Sequence, residues 1–155
     1  MKKIFAALIA LSSAAAFAVN VGGTSEDNQN LLTLAFAKNI AAKAEAYALK
    51  KNWKISIAIV NSESNLLYFQ RNPQAYVGSI EAAMQKARSA NAFQRPTTAF
   101  VDALKQGRIG MISVNDVVAI EGGIPIVVSG NHMGAIGVSG AKAIEDEEAA
   151  KASLE

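Results

Sequence analysis

GGIPIVVSGNHMGAIGVSG, residues 122 to 140, is the stretch of this sequence that decides the fold. Two apolar runs flank Gly130-Asn131, a dipeptide that tolerates positive φ, so the stretch predicts a β-hairpin with a tight turn. Glycines at 134, 137 and 140 weaken a plain strand and indicate that another backbone or a ligand comes close there. His132, the only histidine of the chain, directly follows the predicted turn.

The segments before this hairpin predict further strands of the same sheet. Residues 54–61 and 66–71 alternate between two faces, with Ile55, Ile57 and Ile59 on one side of the first segment, and they predict a second hairpin. Residues 111–120 are apolar but interrupted by Asn115-Asp116, so they predict one weak or broken strand. Hairpins that follow one another along the chain are typical of an antiparallel sheet.

Helical spacing predicts four helices around these strands. The first, at residues 30–51, has a buried stripe of Phe36, Ile40, Ala44 and Tyr47 with alanines beside them. Residues 79–91 form the second, capped by Ser79, and a short third helix starts at Thr97 or Thr98 and ends near residue 106. The last runs from residue 143 to the end. This order of elements predicts an α+β fold.

The N-terminus predicts export. Lys2 and Lys3 precede an apolar run that is too short to span a bilayer, and Ala16-Phe17-Ala18 is a small-x-small cleavage site. We therefore predict a signal peptide at residues 1–18, a flexible segment at 19–29 and one domain at 30–155. The mature protein would be periplasmic or secreted, with no membrane anchor after cleavage.

Charge and composition exclude several partners and chemistries. The chain has 15 Lys and Arg against 13 Asp and Glu, so removal of Lys2 and Lys3 leaves a formally neutral protein. A neutral chain without a basic cluster argues against nucleic acid as a partner. Cysteine is absent, which excludes cysteine-based metal, redox and nucleophile chemistry. The fold is then held by packing, or by assembly with other copies.

Known catalytic motifs are scarce. Gly137-Val138-Ser139-Gly140-Ala141 matches most of a nucleophile elbow, but His132 lies across the same hairpin with no obvious carboxylate to orient it, so a plain strand-to-helix turn is favoured. Glu145 and Glu148 can share a helix face as metal ligands, although the helix dipole explains acidic residues there equally well. A lone histidine beside a turn is more often a solvated loop residue than a ligand.

A group of cations offers a better candidate site. Lys86, Arg88 and Arg95 follow one another around the end of the second helix, and Arg95 stands on a proline-stiffened turn beside Thr97. Such a place can hold a carboxylate through a bidentate contact. Surface charge, or an ion pair with Glu81 or Asp102, explains these residues equally well.

Several segments together resemble the haem-binding GlcG/HbpS family, also called DUF336. The resemblance covers nearly the whole mature chain in order. It is carried by Ser56-Ile57-Ala58-Ile59-Val60, Lys86-Ala87-Arg88, Arg95-Pro96-Thr97, Gly122-Gly123-Ile124-Pro125-Ile126 and Gly134-Ala135-Ile136-Gly137-Val138-Ser139-Gly140. It implies a profilin-like α+β fold with a five-stranded antiparallel sheet flanked by helices, and assembly into homo-oligomers.

The resemblance also implies a ligand, which is haem. We then expect an exported, non-enzymatic haem-binding protein for haem capture, buffering or sensing. Lys86, Arg95 and Thr97 would bind the propionates and His132 the haem iron, with Met133 as the second choice and Tyr68 and Tyr76 as further donors. The alternatives are an enzyme or binding domain for a small anionic metabolite such as a hydroxy acid, and a pure assembly domain.

Overall fold

The computed structural model describes residues 31–155. The predicted signal peptide, the segment at 19–29 and the first predicted helical residue, Asn30, lie outside this range. Nine elements follow one another: α1 (Leu34–Lys50), β1 (Ser56–Asn61), β2 (Leu66–Arg71), α2 (Gly78–Phe93), α3 (Thr98–Lys105), a 3-10 helix (Ile109–Ser113), β3 (Gly123–Val128), β4 (Asn131–Ser139) and α4 (Ala143–Ala152). Within 31–155, no helix is long and apolar enough to cross a membrane.

The strands form one antiparallel sheet in the order β2-β1-β4-β3. Both predicted hairpins are confirmed. Ser129 and Gly130 lie between β3 and β4, each with positive φ, so the turn is centred one residue before the predicted dipeptide. The α+β class is therefore confirmed.

The described chain has four strands rather than the five that the family resemblance implies. The prediction of a strand at residues 111–120 is wrong, because the first residues of this segment belong to the 3-10 helix. Asp116 then adopts a left-handed conformation at φ 65°, and the backbone N–H of Val118 donates to the Ser89 hydroxyl instead of to a strand. The Asn115-Asp116 interruption was the sequence signal for this break.

The two faces of the sheet are covered differently. On one face, α1 packs over β1 and β2, and α4 packs over β4 and β3. The core on this face contains Ile55, Ile57 and Ile59, as their alternation predicts. On the other face, α2 packs over β1, β4 and β3 through small residues. The alanine stripe of α1 is buried as predicted, but Phe36 is 41% exposed and does not belong to it.

The helix starts differ in part from the sequence predictions. The first helix is capped by Thr33, whose Oγ1 accepts from the backbone N–H of Phe36 at 3.2 Å. Ser79 does not cap α2, since it lies within the helix and its hydroxyl contacts the Tyr76 carbonyl and the Ser56 hydroxyl. The predicted start of α3 at Thr97 or Thr98 is confirmed.

Candidate functional site

Lys86 lies inside the protein, not at its surface. Its side chain is 2% exposed, and the ammonium donates to Asp146 Oδ2 and to the Val138 carbonyl, each at 2.9 Å. Asp146 belongs to α4, so this ion pair joins helices from opposite faces of the sheet. The structure therefore does not bring Lys86 together with Arg88 and Arg95 in one surface cluster.

Gly122 makes room for this pair. A Cβ at that position would lie 3.1 Å from Lys86 Nζ and 2.6 Å from the Val138 carbonyl oxygen. Burial raises the pKa of the Asp146 carboxyl, while the Lys86 charge and the N–H of Ala141 act in the opposite direction. The pair is shielded from solvent and serves as an internal connection.

Thr97 is also held by hydrogen bonds inside the fold. Its Oγ1 accepts from the backbone N–H of Gly123 at 3.0 Å, and its own N–H donates to the Gly123 carbonyl at 2.9 Å. Both contacts attach the start of α3 to β3, and the residue is fully buried. Arg95 is exposed, and its Nε donates to the Phe93 carbonyl at 3.2 Å.

His132 forms a polar cluster with α2 and the β1–β2 turn. Its Nε2 lies 2.7 Å from Asn91 Oδ1, while the Asn91 amide nitrogen donates to the Ser62 carbonyl and the Ser64 hydroxyl. The amide oxygen is thus the atom that faces the ring, so Nε2 carries the proton. His132 Nδ1 is buried without a hydrogen-bond partner, and burial lowers the pKa of the imidazole.

Met133 lies on the other face of the sheet from His132. It is 6% exposed and belongs to the core beneath α1, where it lines an apolar groove of about 250 Å³ together with Phe36 and Val128. A second groove of about 290 Å³ shares Phe36 and Val128 and extends between α1, β3 and the end of α4. We call the two together the β3 groove.

The β3 groove has an apolar base and polar groups at one side. Ile40 and Ile126 are buried in it, and Asn39 and Lys43 of α1 line its exposed margin. Of the five predicted site residues, only Met133 lines it. Sequence reasoning missed Asn39 and Lys43 because they lie on the polar side of an amphipathic helix, where no pattern distinguishes them from ordinary solvated residues.

A separate groove lies on the outer side of α2. It has a volume of about 350 Å³ and is lined by Glu81, Gln85 and Arg88 of the helix and by residues 116–118 of the following connection. Arg88 forms no salt bridge with any described residue. We call this the α2 groove, and it contains Arg88 of the predicted cation cluster.

The remaining candidate donors are placed apart. The Tyr68 hydroxyl donates to Gln70, and the Tyr76 hydroxyl lies 3.4 Å from the Ser139 hydroxyl, so Ser139 of the elbow-like motif pairs with a tyrosine. Glu148 lies near the Tyr47 hydroxyl, and residues 31–155 contain no group of three or more side chains suited to a metal ion.

Comparison with known proteins is consistent with this architecture. The family model described as "Haem degrading protein HbpS-like" matches residues 32–155. The chain is 32% identical over 109 residues to protein GlcG of Escherichia coli K12, covering 70% of this chain and 81% of GlcG.

Solved structures agree over most of the described chain. The crystal structure of HbpS is similar with a TM-score of 0.73 at 31% identity, covering 79% of this chain and 87% of HbpS. The structure of a PduOC:heme complex shares the fold with a TM-score of 0.73 at 23% identity, covering 80% of this chain and 93% of PduOC. The match over residues 32–155 shows that this chain belongs to the HbpS-like family, also known as GlcG/HbpS or DUF336.

Proposed function

We propose that this chain is an exported haem-binding protein that acts as a homo-oligomer in haem capture, buffering or sensing. The description of its family names haem, and the similar PduOC chain was solved as a haem complex. The observation in this chain that supports the proposal is the β3 groove, which combines an apolar base with an exposed lysine. A porphyrin needs both, because its ring is apolar and its propionates are anionic.

The size of the groove is compatible with a ligand of this class. Its two parts have volumes of about 250 and 290 Å³ and share Phe36 and Val128, so together they fall within the range of roughly 300 to 1,000 Å³ that is usual for small-molecule sites. Phe36 supplies an exposed aromatic ring, which accounts for its departure from the buried stripe of α1.

The position of each candidate residue relative to the β3 groove then decides how well it could bind haem. Met133 lines the groove and carries a thioether, a ligand type found in haem proteins. His132 is the stronger donor by chemistry, but it would have to leave Asn91 and reach the groove from the opposite face. Lys43 is the cation beside the groove, whereas Lys86 and Thr97 are held inside the fold, and Arg95 would serve propionates only at the surface.

Titration of the purified mature protein with haemin tests the proposal. We expect a saturable Soret shift at micromolar protein, and its absence would contradict haem binding. Val128→Glu, which places a carboxylate in the groove, should weaken binding at least about tenfold, or about 1.4 kcal/mol. Val77→Glu is the matched control, since Val77 is an exposed valine at the start of α2 and outside the groove.

The axial donor is tested by spectrum rather than by affinity. Met133→Leu keeps the volume of the side chain and removes the sulfur, so we expect it to change the Soret position if Met133 binds the iron. His132→Ala should then leave the spectrum unchanged, and the reverse result would assign the iron to His132.

Following the Soret band over time with a reductant would show whether bound haem is consumed.

Export has its own test. If residues 1–18 are a signal peptide, the full chain produced in a Gram-negative host should be recovered in the periplasmic fraction with Val19 as its first residue. Recovery of the intact chain in the cytoplasm would contradict export.

The α2 groove supports a second candidate function, the binding of a small anionic metabolite. Arg88 can form a bidentate contact with a carboxylate, and the Gln85 side-chain amide supplies a further donor. We would favour this function if small hydroxy acids, but not haemin, stabilise the folded state, and if Arg88→Gln abolishes that stabilisation. Lys105→Gln is a control, because Lys105 is an exposed cation outside the groove.

A further inference from the structure

The α2 groove contains charges of both signs. Its helical wall consists of Glu81, Gln85 and Arg88, which are spaced at i, i+4 and i+7 and therefore lie on one face of α2. Asp116, in the connection that follows the 3-10 helix, lines the opposite wall. Two carboxylates against one guanidinium leave the groove with an excess of one negative charge.

These charges do not neutralise one another. None of Glu81, Arg88 and Asp116 forms a salt bridge with any residue of the described range. The Glu81 carboxylate accepts from Gln85 Nε2 at 3.1 Å through Oε1. Seven positions separate Glu81 from Arg88, so their Cα atoms lie about 10.5 Å apart along the helix axis. Opposite charges therefore line one groove without pairing, and they can meet the charges of a ligand.

The opposite wall of the groove is held in place by the fold. The backbone N–H of Val118 donates to Ser89 Oγ at 3.0 Å, and Ser89 is fully buried in α2. Asp116 has a φ of 65°, a left-handed conformation that aspartate adopts more readily than most residues. Val117 and Val118 are half-buried and give this wall an apolar strip. The groove is thus preformed, which lowers the cost of ordering it around a ligand.

A purely anionic ligand matches only part of this groove. Its carboxylate can form a bidentate contact with Arg88, but the rest of the molecule then lies beside two protein carboxylates, and like charges repel. A ligand that also carries an ammonium group has an oppositely charged partner for each of its own charges. Its short aliphatic part can pack against Val117 and Val118.

We infer that the α2 groove binds small amino acids, with the carboxylate at Arg88 and the ammonium at the carboxylates of Glu81 and Asp116. The cavity of about 350 Å³ is in the usual range for small-molecule sites. The inference rests on the second candidate function, the binding of a metabolite carboxylate at Arg88, and specifies amino acids rather than hydroxy acids as the class. It does not depend on haem.

Matched pairs of ligands test the inference. Alanine and lactate share one carbon skeleton, as do 4-aminobutyrate and 4-hydroxybutyrate, and the members of each pair differ by an ammonium in place of a hydroxyl group. Calorimetric titration of the purified protein at constant ionic strength should show that the amino member of at least one pair binds about fivefold or more tightly than its hydroxy partner. The reason is that only the ammonium forms charge-assisted hydrogen bonds with carboxylates.

Amide substitutions test which residues hold the ammonium. Glu81→Gln keeps an acceptor for Gln85, and Asp116→Asn keeps a residue type that tolerates the left-handed conformation. Each should reduce the preference for the amino member at least about twofold, and the double variant should abolish it without weakening the hydroxy acid. Glu63→Gln is the matched control, because Glu63 is an exposed carboxylate in the β1–β2 turn, outside the groove.

Arg88→Gln separates the inference from the function on which it rests, since it should weaken both members of a pair. If no member of either pair binds at millimolar concentration, the second candidate function and the inference both fail. If the hydroxy acids bind as tightly as their amino partners, the inference alone fails. It also fails if the double variant retains the full preference for the amino member, because the ammonium is then bound elsewhere.

Discussion

At the scale of single residues, His132 predicts how stability depends on pH. Burial lowers its pKa below the ordinary value of 6.5, so the folded protein binds this proton less readily than the unfolded chain. Stability is therefore greatest above about pH 6.5 and falls as pH decreases through the lowered pKa. Denaturant unfolding between about pH 7.5 and 5 should show this loss.

The control for this prediction is simple because His132 is the only histidine. His132→Gln retains an amide that can bond to Asn91 and removes the titration, so its stability should change much less over the same pH interval. An equal pH dependence in the variant would show that His132 does not cause it.

Lys86 predicts a strong coupling between two buried side chains. Lys86→Met leaves the carboxyl of Asp146 buried without its cation, which should cost about 3 to 5 kcal/mol of unfolding free energy. Adding Asp146→Asn removes the charge and keeps an acceptor for the N–H of Ala141. Denaturant unfolding of both single variants and of the double variant measures the unfolding free energy that each loses. The loss in the double variant should be well below the sum of the two single losses, and additive losses would contradict the coupling.

At the scale of elements, the close packing of α2 on β4 depends on Gly137. A Cβ there would lie 2.0 Å from the Ala83 carbonyl oxygen and 2.5 Å from the Ala87 nitrogen, both backbone atoms of the helix. Gly137→Ala must push α2 away from the sheet, so we expect a loss of at least about 1 to 3 kcal/mol, measured by thermal or denaturant unfolding.

Gly110→Ala is the matched control for this prediction. Nothing lies within 4 Å of a Cβ at Gly110, and its backbone is not in the left-handed region. The unfolding free energy of Gly110→Ala should stay within about 0.5 kcal/mol of that of the natural chain, as is usual for surface changes. Equal losses in the two variants would show that close packing on α2 is not the cause.

At the scale of the whole molecule, the two layers around the sheet should unfold together. The cores on its two faces share β1 and β4, and the ion pair of Lys86 with Asp146 connects their helices. Trp53, the only tryptophan, packs against the core beneath α1. Gly137→Ala, on the opposite face, should therefore lower the midpoint seen by Trp53 fluorescence as much as that seen by circular dichroism. Separate midpoints would contradict one cooperative unit.

Much of the architecture could be predicted because its signals are local. Period-two alternation in β1, the alanine stripe of α1 and a turn near Gly130 each follow from a few neighbouring residues, and they suffice for both hairpins and the α+β class, although the turn lies one residue before the predicted Gly130-Asn131. The exact buried face of α2 was not predictable in the same way. Ala83, Ala87 and Ala90 pack on the sheet, whereas Ile80 and Met84 remain half-exposed, since close approach to Gly137 selects small side chains over larger ones.

By itself, the sequence determined the four helices, the two hairpins and the family, because these depend on local patterns and on matches along the chain. Only the tertiary structure decided which polar residues are free to meet a ligand. Lys86 lies only two positions before Arg88 in α2, yet its ammonium lies inside the fold with Asp146, 60 positions away. His132 and Met133 are consecutive, yet they lie on opposite faces of the sheet. Burial and pairing depend on contacts between distant segments, which no local pattern records.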